Sequence, residues 1–227
     1  IAYIAYYDTA FPPITEKIKN PDRFVLTFCP ISRSYMASIT EDSEIPEPLP
    51  FVHNGWEAPK TTEETYSLFC QWKKVFPGPY SVFEYHFWIH QYRDPGTMTF
   101  ARRVYEDVLS HRVMGTFGCM QDGSNKSFWP NGFAEYIYAE TMMNRDVDYE
   151  KELEAYYEAL YGSDWQKVVH YLKGLSDAFD FAYMEGTKSK DKAVSRYYDP
   201  DRAPRLAAIA ELCAEEKALA AKHLICP

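Results

Sequence analysis

The sequence predicts an α/β fold: four parallel strands with helices outside them, followed by an all-helical segment. Three observations predict it. Strand-like apolar runs alternate with helical periods over the first 145 residues. The alternation stops near residue 148, and only helical periods follow. Polar residues gather at the carboxyl ends of the strands: Asp8, Arg33, Glu84 with His86, and Gln121 with Asp122.

The elements follow in order. "IAYIAYYDT" is a strand over residues 1–7 that runs into the "AFPP" loop. "RFVLTFCPI" is a second strand, near 24–29, stopped by Pro30. A polar, proline-rich loop fills 40–60. Thr61 and Glu64 then stand in capping-box spacing and open a helix to residue 76, with Tyr66, Phe69, Trp72 and Phe76 at helical intervals. "YSVFEYHF" is a third strand, near 80–86. A helix follows from about 98 to 110, with Phe100, Val104, Val108 and Leu109 on one side. "RVMGTFGCM" reads as a fourth strand, near 113–119, and no strand is expected after residue 120. "FAEYIYAETMMN" is a helix entered through Pro130. Helices over 148–162, 163–186 and about 204–224 complete the chain.

Sequential strands joined by helices imply parallel pairing through right-handed crossovers, so the spatial order should equal the chain order. A closed barrel of β/α units needs eight strands. Four strands in 120 residues therefore make either half of a larger barrel or an open four-stranded domain, and the half-barrel fits better. The expected division is 1–147 for the half-barrel and 148–227 for the helical segment. Strands 1–7 and 113–119 would then be open edges, through which the chain associates with another copy or with the rest of its parent.

Composition narrows the function. The 227 residues are 46% hydrophobic and 17% aromatic, enough for a sizeable core. The net charge of −9 argues against nucleic acid and against an anionic membrane surface. No apolar run approaches the ~20 residues of a membrane-spanning helix. The first residues carry no basic stretch, unlike a signal peptide. Cys29, Cys70, Cys119, Cys213 and Cys226 are widely spaced with no C-x-x-C, which predicts buried free thiols rather than a disulfide scaffold or zinc site. No phosphate loop, dinucleotide fingerprint or G-x-S-x-G elbow occurs, and no cofactor is expected.

Three stretches carry a family resemblance. They are "IAYIAYYDTAFPP" with "RFVLTFCPISRSY"; "SVFEYHFW"; and "FWPNGFAEYIYAETMMNRDVDYEKELEAYYEALYG". Together they resemble a bacterial family described as domain of unknown function 4838, itself similar to glycoside hydrolases of the α-glucuronidase and β-hexosaminidase kind. The resemblance reaches to about residue 175. It implies a (β/α)8 TIM barrel with this chain as the C-terminal half, strands five to eight, and a carbohydrate substrate. In similar glycosidases a principal acid often follows the fourth strand, which this chain lacks. The isolated chain is then expected to be inactive.

Most glycosidases use two carboxyl groups. The candidates are Glu84, Asp8 and Asp122. Glu84 sits in an apolar strand where burial would raise its pKa, or else it pairs with Arg33 or His86. Asp8 and Asp122 serve either the chemistry or a turn. Arg33 either forks a substrate carboxylate, which would suit a uronic acid, or pairs with Asp8 or Glu84. His86 shares a strand face with Glu84. His86 and His90 form H-x-x-x-H, but on a strand end and without the glutamate of a metalloprotease, so no metal is expected. Gln121 would contact substrate. Tyr7, Tyr35, Tyr85, Trp88 and Trp129 form either a sugar-stacking rim or core. The competing reading is a non-catalytic sugar-binding or structural barrel module.

Overall fold

Parallel strands in chain order build the sheet. In a computed structural model, which describes residues 1–55, 57–123, 131–186, 200 and 202–223, the strands are β1 (Ala2–Tyr6), β2 (Val25–Cys29), β3 (Tyr80–Phe87) and β4 (Cys119–Gly123). They form one sheet in the order β1-β2-β3-β4, and every pairing is parallel. β1 and β4 are its edges.

The first helix, α1 (Thr62–Val75), starts where the capping box was expected. The Glu64 N–H donates to Thr61 Oγ1 at 3.1 Å, and the Thr61 N–H donates back to Glu64 Oε2 at 3.2 Å. Its apolar side, Leu68, Phe69 and Trp72, packs with Phe76 on Ala5, Leu26, Phe28 and Val82 of the sheet. Trp72 is fully enclosed, and its indole N–H donates to the Ala10 carbonyl at 2.8 Å. These contacts fix one face of the sheet as the helix-covered face.

The fourth strand differs from expectation. Residues 112–114 are the last turn of α2 (Met98–Met114), and β4 begins only at Cys119. Gly115 causes the difference. It adopts φ +73, where L side chains are strained, and its N–H closes on the His111 carbonyl at 2.9 Å. Met114 stays on the helix and joins the core. A glycine that looked like the interior of a strand is the stop of a helix.

The protein divides into two compact units, Ile1–Trp88 with Glu106–Ser124, and Ile89–Tyr105 with Asn125–Pro227. The second contains α3 (Phe133–Met143), α4 (Tyr149–Tyr161), α5 (Trp165–Phe179), α6 (Phe181–Met184) and α7 (Arg202–His223). Its core centres on Phe133, ringed by Tyr149, Tyr156 and Tyr157 at 5.3–5.6 Å between ring centres. The single helix expected over 163–186 breaks at Asp180, which has φ +53 and caps α6 by accepting the Tyr183 N–H at 3.2 Å. Of the described cysteines only Cys29 is buried. Cys70 and Cys119 are half-buried and Cys213 is exposed, all as free thiols, so the expectation of uniformly buried thiols does not hold. Among the described residues no helix is long and apolar enough to cross a membrane.

Candidate functional site

Alternation along β3 sends its side chains to two different environments. Tyr80 and Val82 lie in the core beneath α1, and Glu84 and His86 continue that face. There they meet Arg33, from the loop after β2, and Asp107 and His111, one helical turn apart near the end of α2. Arg33 donates to Glu84 Oε2 from Nε at 3.3 Å and from Nη2 at 3.2 Å. Nη2 also donates to Asp107 Oδ2 at 2.7 Å. His86 Nε2 lies 2.7 Å from the same carboxylate oxygen, and its Nδ1 meets the Gln121 side-chain amide at 3.1–3.2 Å. The remaining guanidinium nitrogen donates to the Ser34 and Ala37 carbonyls. The guanidinium also stacks 4.0 Å over the Tyr35 ring.

This cluster is buried, and its charges are paired. Burial pushes the Glu84 carboxyl up, but Arg33 beside it, helped by His111 and His86, outweighs burial and holds it down at about 2. Asp107 is held low in the same way, by Arg33 and by the His86 contact against its own burial. Both are carboxylates at any physiological pH, so neither has a proton to donate. The rise that burial alone predicts for Glu84 does not survive its partner. Burial and the Glu84 charge push the Tyr35 phenol well up, so it remains a neutral donor.

Tyr35 links this network to the strand. β3 runs past its ladder with β2, whose last pair is Phe28 with Val82. Beyond that point the Tyr85 N–H donates to the Tyr35 hydroxyl, which in turn donates to Glu84 Oε2. On the other side, the β3–β4 register slips: Glu84 faces Gln121, but Phe87 faces Gly123, so Tyr85 and His86 share Asp122 as neighbour. Such bulges re-aim side chains at strand ends. Gly123 belongs to the device, since a Cβ there would lie 2.5 Å from Phe87 Cβ.

The other face of the sheet carries Ile4, Phe83 and Met120, with Ile4 57% and Met120 50% exposed. At its carboxyl end stand aromatic rings. Tyr6 and Tyr85 stack with centres 6.4 Å apart and planes at 25°. Tyr7 meets Tyr6 edge-on at 4.6 Å, and Trp88 meets Tyr85 at 6.3 Å. Tyr7 and Trp88 are half exposed. Asp122, one residue on from Gln121, projects to this face, and its charge acts on both Tyr6 and Tyr85. Burial comes first in raising both phenols, with Tyr7 and Cys29 next for Tyr6, and Cys29 next for Tyr85. Burial also pushes the Cys29 thiol up to about 11, so it is no nucleophile.

The expected site residues thus separate. Glu84, Arg33, His86 and Gln121 are bound to one another on the helix-covered side. Tyr85 and Asp122 project to the other side of the sheet, where Tyr85 is buried beside Cys29, and Tyr7 and Trp88 stand half exposed beyond the strand ends. Asp8 is exposed in a 3-10 turn, where its carboxylate accepts the Thr9 N–H at 3.0 Å. His90 lies in the second unit, its Nδ1 2.6 Å from Glu185 Oε1. Trp129 lies outside the described residues. Asp107 and His111 were missed: Asp107 reads as a solvent-facing acid on an amphipathic helix, and His111 fell just beyond the helix end expected at about 110. Tyr6 and Cys29 were missed as ordinary strand residues. Among the described residues no group of His, Cys, Asp and Glu is placed to hold a metal ion. No known family model, curated protein or solved structure matches this chain.

Proposed function

We propose that the chain is part of a carbohydrate-active, glycoside hydrolase-like protein, in which it forms the C-terminal half of a (β/α)8 barrel. The observation that carries this reading is the set of rings, Tyr6, Tyr7, Tyr85 and Trp88, gathered with Asp122 at the carboxyl ends of parallel strands. Aromatic faces stack on the C–H faces of sugar rings, and a carboxylate accepts from their hydroxyls. Strand carboxyl ends are where barrels carry their sites. Among the described residues Ile4 and Met120 stay half exposed on the other face, which supports the barrel part of the reading. All-parallel sheets occur with both faces covered, and in a closed barrel the second face is the interior. The resemblance to the domain of unknown function 4838 family points the same way.

In this reading Asp122 is the carboxyl of this half that takes part in hydrolysis, and its partner comes from elsewhere in the assembled barrel. Asp8 stands nearer solvent and serves the rim. Glu84 and Arg33 hold the strand end in place from behind. The ion pairing of Glu84 favours a second reading, a sugar-binding barrel without catalysis, because the most buried carboxylate is withdrawn from chemistry.

One experiment separates them. The intact protein is assayed for reducing-sugar release and, by tryptophan fluorescence, for oligosaccharide binding. Asp122→Asn should lower turnover about a hundredfold or more, the usual scale for a lost acid or base, while binding persists. Binding without turnover in either form selects the non-catalytic reading. Binding and turnover both unaffected by Trp88→Ala would remove the site from this face.

A further inference from the structure

We propose that one buried water completes the cluster around Arg33, held between the Glu84 carboxylate and the His111 ring on the helix-covered side of the sheet. This site is independent of the carbohydrate reading. It follows from which atoms of the cluster bond directly and which two meet across a gap.

Glu84 uses its two oxygens unequally. Arg33 Nε, Arg33 Nη2 and the Tyr35 hydroxyl all donate to Oε2. Oε1 is the oxygen nearer His111, whose Nε2 stands 3.9 Å away. That is too far for a hydrogen bond and near enough for one water to touch both atoms. His111 is 7% exposed, and among the described residues its Nε2 has no hydrogen-bond partner. Native structures rarely leave a buried polar atom so, and an ordered water is the usual remedy. The room exists. Glu84 lines a cavity of about 20 Å³ with Arg33, Asp107, Ser110, Thr62 and Thr65, between α1 and the end of α2. One water needs roughly 10–15 Å³. Water also has the right chemistry. It donates to Glu84 Oε1, and it meets Nε2 as donor or as acceptor, whichever tautomer the ring adopts. A hard metal cation wants about six oxygen ligands, whereas here a single carboxylate oxygen faces an imidazole, with a guanidinium lining the same space. The water gives Oε1 a donor of its own and ties the end of α2 to β3.

The test is a high-resolution crystal structure of the protein, with His111→Phe and His111→Gln alongside. The expected result in the wild type is one water within hydrogen-bond distance of both Glu84 Oε1 and His111 Nε2. His111→Phe should lose that water and melt several degrees lower. His111→Gln keeps a polar end to the side chain, and should keep the water and recover most of the lost stability. Exchanging sodium for potassium or ammonium at constant ionic strength should leave the melting temperature unchanged. In solution, NMR of the wild type should show a cross-peak between a long-lived water and the His111 ring protons, which decides the matter even if the Phe variant does not fold. A wild-type map in which Nε2 touches Oε1 directly, or in which no ordered atom lies between them, overturns the proposal, as does the absence of the cross-peak. A water that survives His111→Phe with unchanged melting overturns it too. Melting that follows the identity of the cation overturns it in favour of a bound cation.

Discussion

The Tyr35 hydroxyl donates to Glu84 Oε2 at 3.0 Å while accepting the Tyr85 N–H at 3.0 Å. One oxygen therefore ties the ionised cluster on the covered side to the backbone of a residue whose ring lies on the uncovered side. Tyr35→Phe leaves the ring and removes this link. A buried carboxylate loses a donor and a buried amide loses an acceptor, which should cost about 1–3 kcal/mol in urea unfolding. The same variant should weaken oligosaccharide binding although Tyr35 itself is fully buried. Unchanged stability would mean that the hydroxyl bonds are replaceable by water.

Acid should destabilise the protein through Glu84. Its folded pKa, about 2, lies below the ordinary 4.5, so its stabilisation is complete above pH ~5 and is lost as pH falls toward 2. The loss should be on the order of 3 kcal/mol, and Asp107, held low in the same way, adds to it with the same sign. Urea unfolding from pH 6 to pH 2.5 would measure the slope. Glu84→Gln should flatten it.

Arg33→Met should be the most damaging change in the first unit. It leaves Glu84 and Asp107 buried with no guanidinium between them, a loss of about 3–5 kcal/mol. Both carboxyl groups should then titrate well above their present range. Arg33→Lys should rescue only part, since an ammonium cannot span both carboxylates with a planar fork. Melting temperatures of the two variants, compared at pH 7 and pH 4, would check this: the Met variant should gain on the wild type as pH falls.

Thr61→Ala should cost about 1 kcal/mol by removing the acceptor for the Glu64 N–H. Glu64→Ala should cost a similar amount. The double variant should cost less than the sum, because the two bonds of a capping box support each other.

Gly123→Ala places a Cβ against Phe87 Cβ and main chain, within 2.5–3.3 Å. The strand end must shift to admit it. Reduced binding with near-native far-UV dichroism would show that the slipped register aims the site; unchanged binding would show that it does not.

The first three strands were legible because each is a short apolar run closed by proline or polar residues, and α1 because its cap and its stripe agree. β4 was not, since a glycine in an apolar run reads equally as strand interior or helix stop. Only the helix continuing through Met114 decides between them. The pairing of Arg33 with Glu84 was legible as one of two options. Its side of the sheet was not: alternation says that Glu84 and His86 share a face, but not which face the helices cover. Asp107 was invisible for the same reason. A lone acid on an amphipathic helix reads as solvent-facing until the sheet beneath is known to carry a guanidinium.

Order of synthesis gives the cluster a timetable. Strands neighbouring in sequence are neighbours in the sheet, so the sheet can assemble as the chain emerges. Arg33, however, precedes Glu84 by 51 residues and Asp107 by 74. At ribosomal speeds of about 5–20 residues per second, the guanidinium waits roughly 4–15 seconds for its second carboxylate. Until α2 is made, a nascent sheet of β1, β2 and β3 can pair Arg33 with Glu84 but lacks both the second carboxylate on the guanidinium and the helix that supplies it. The last helix to reach this unit therefore acts as its latch.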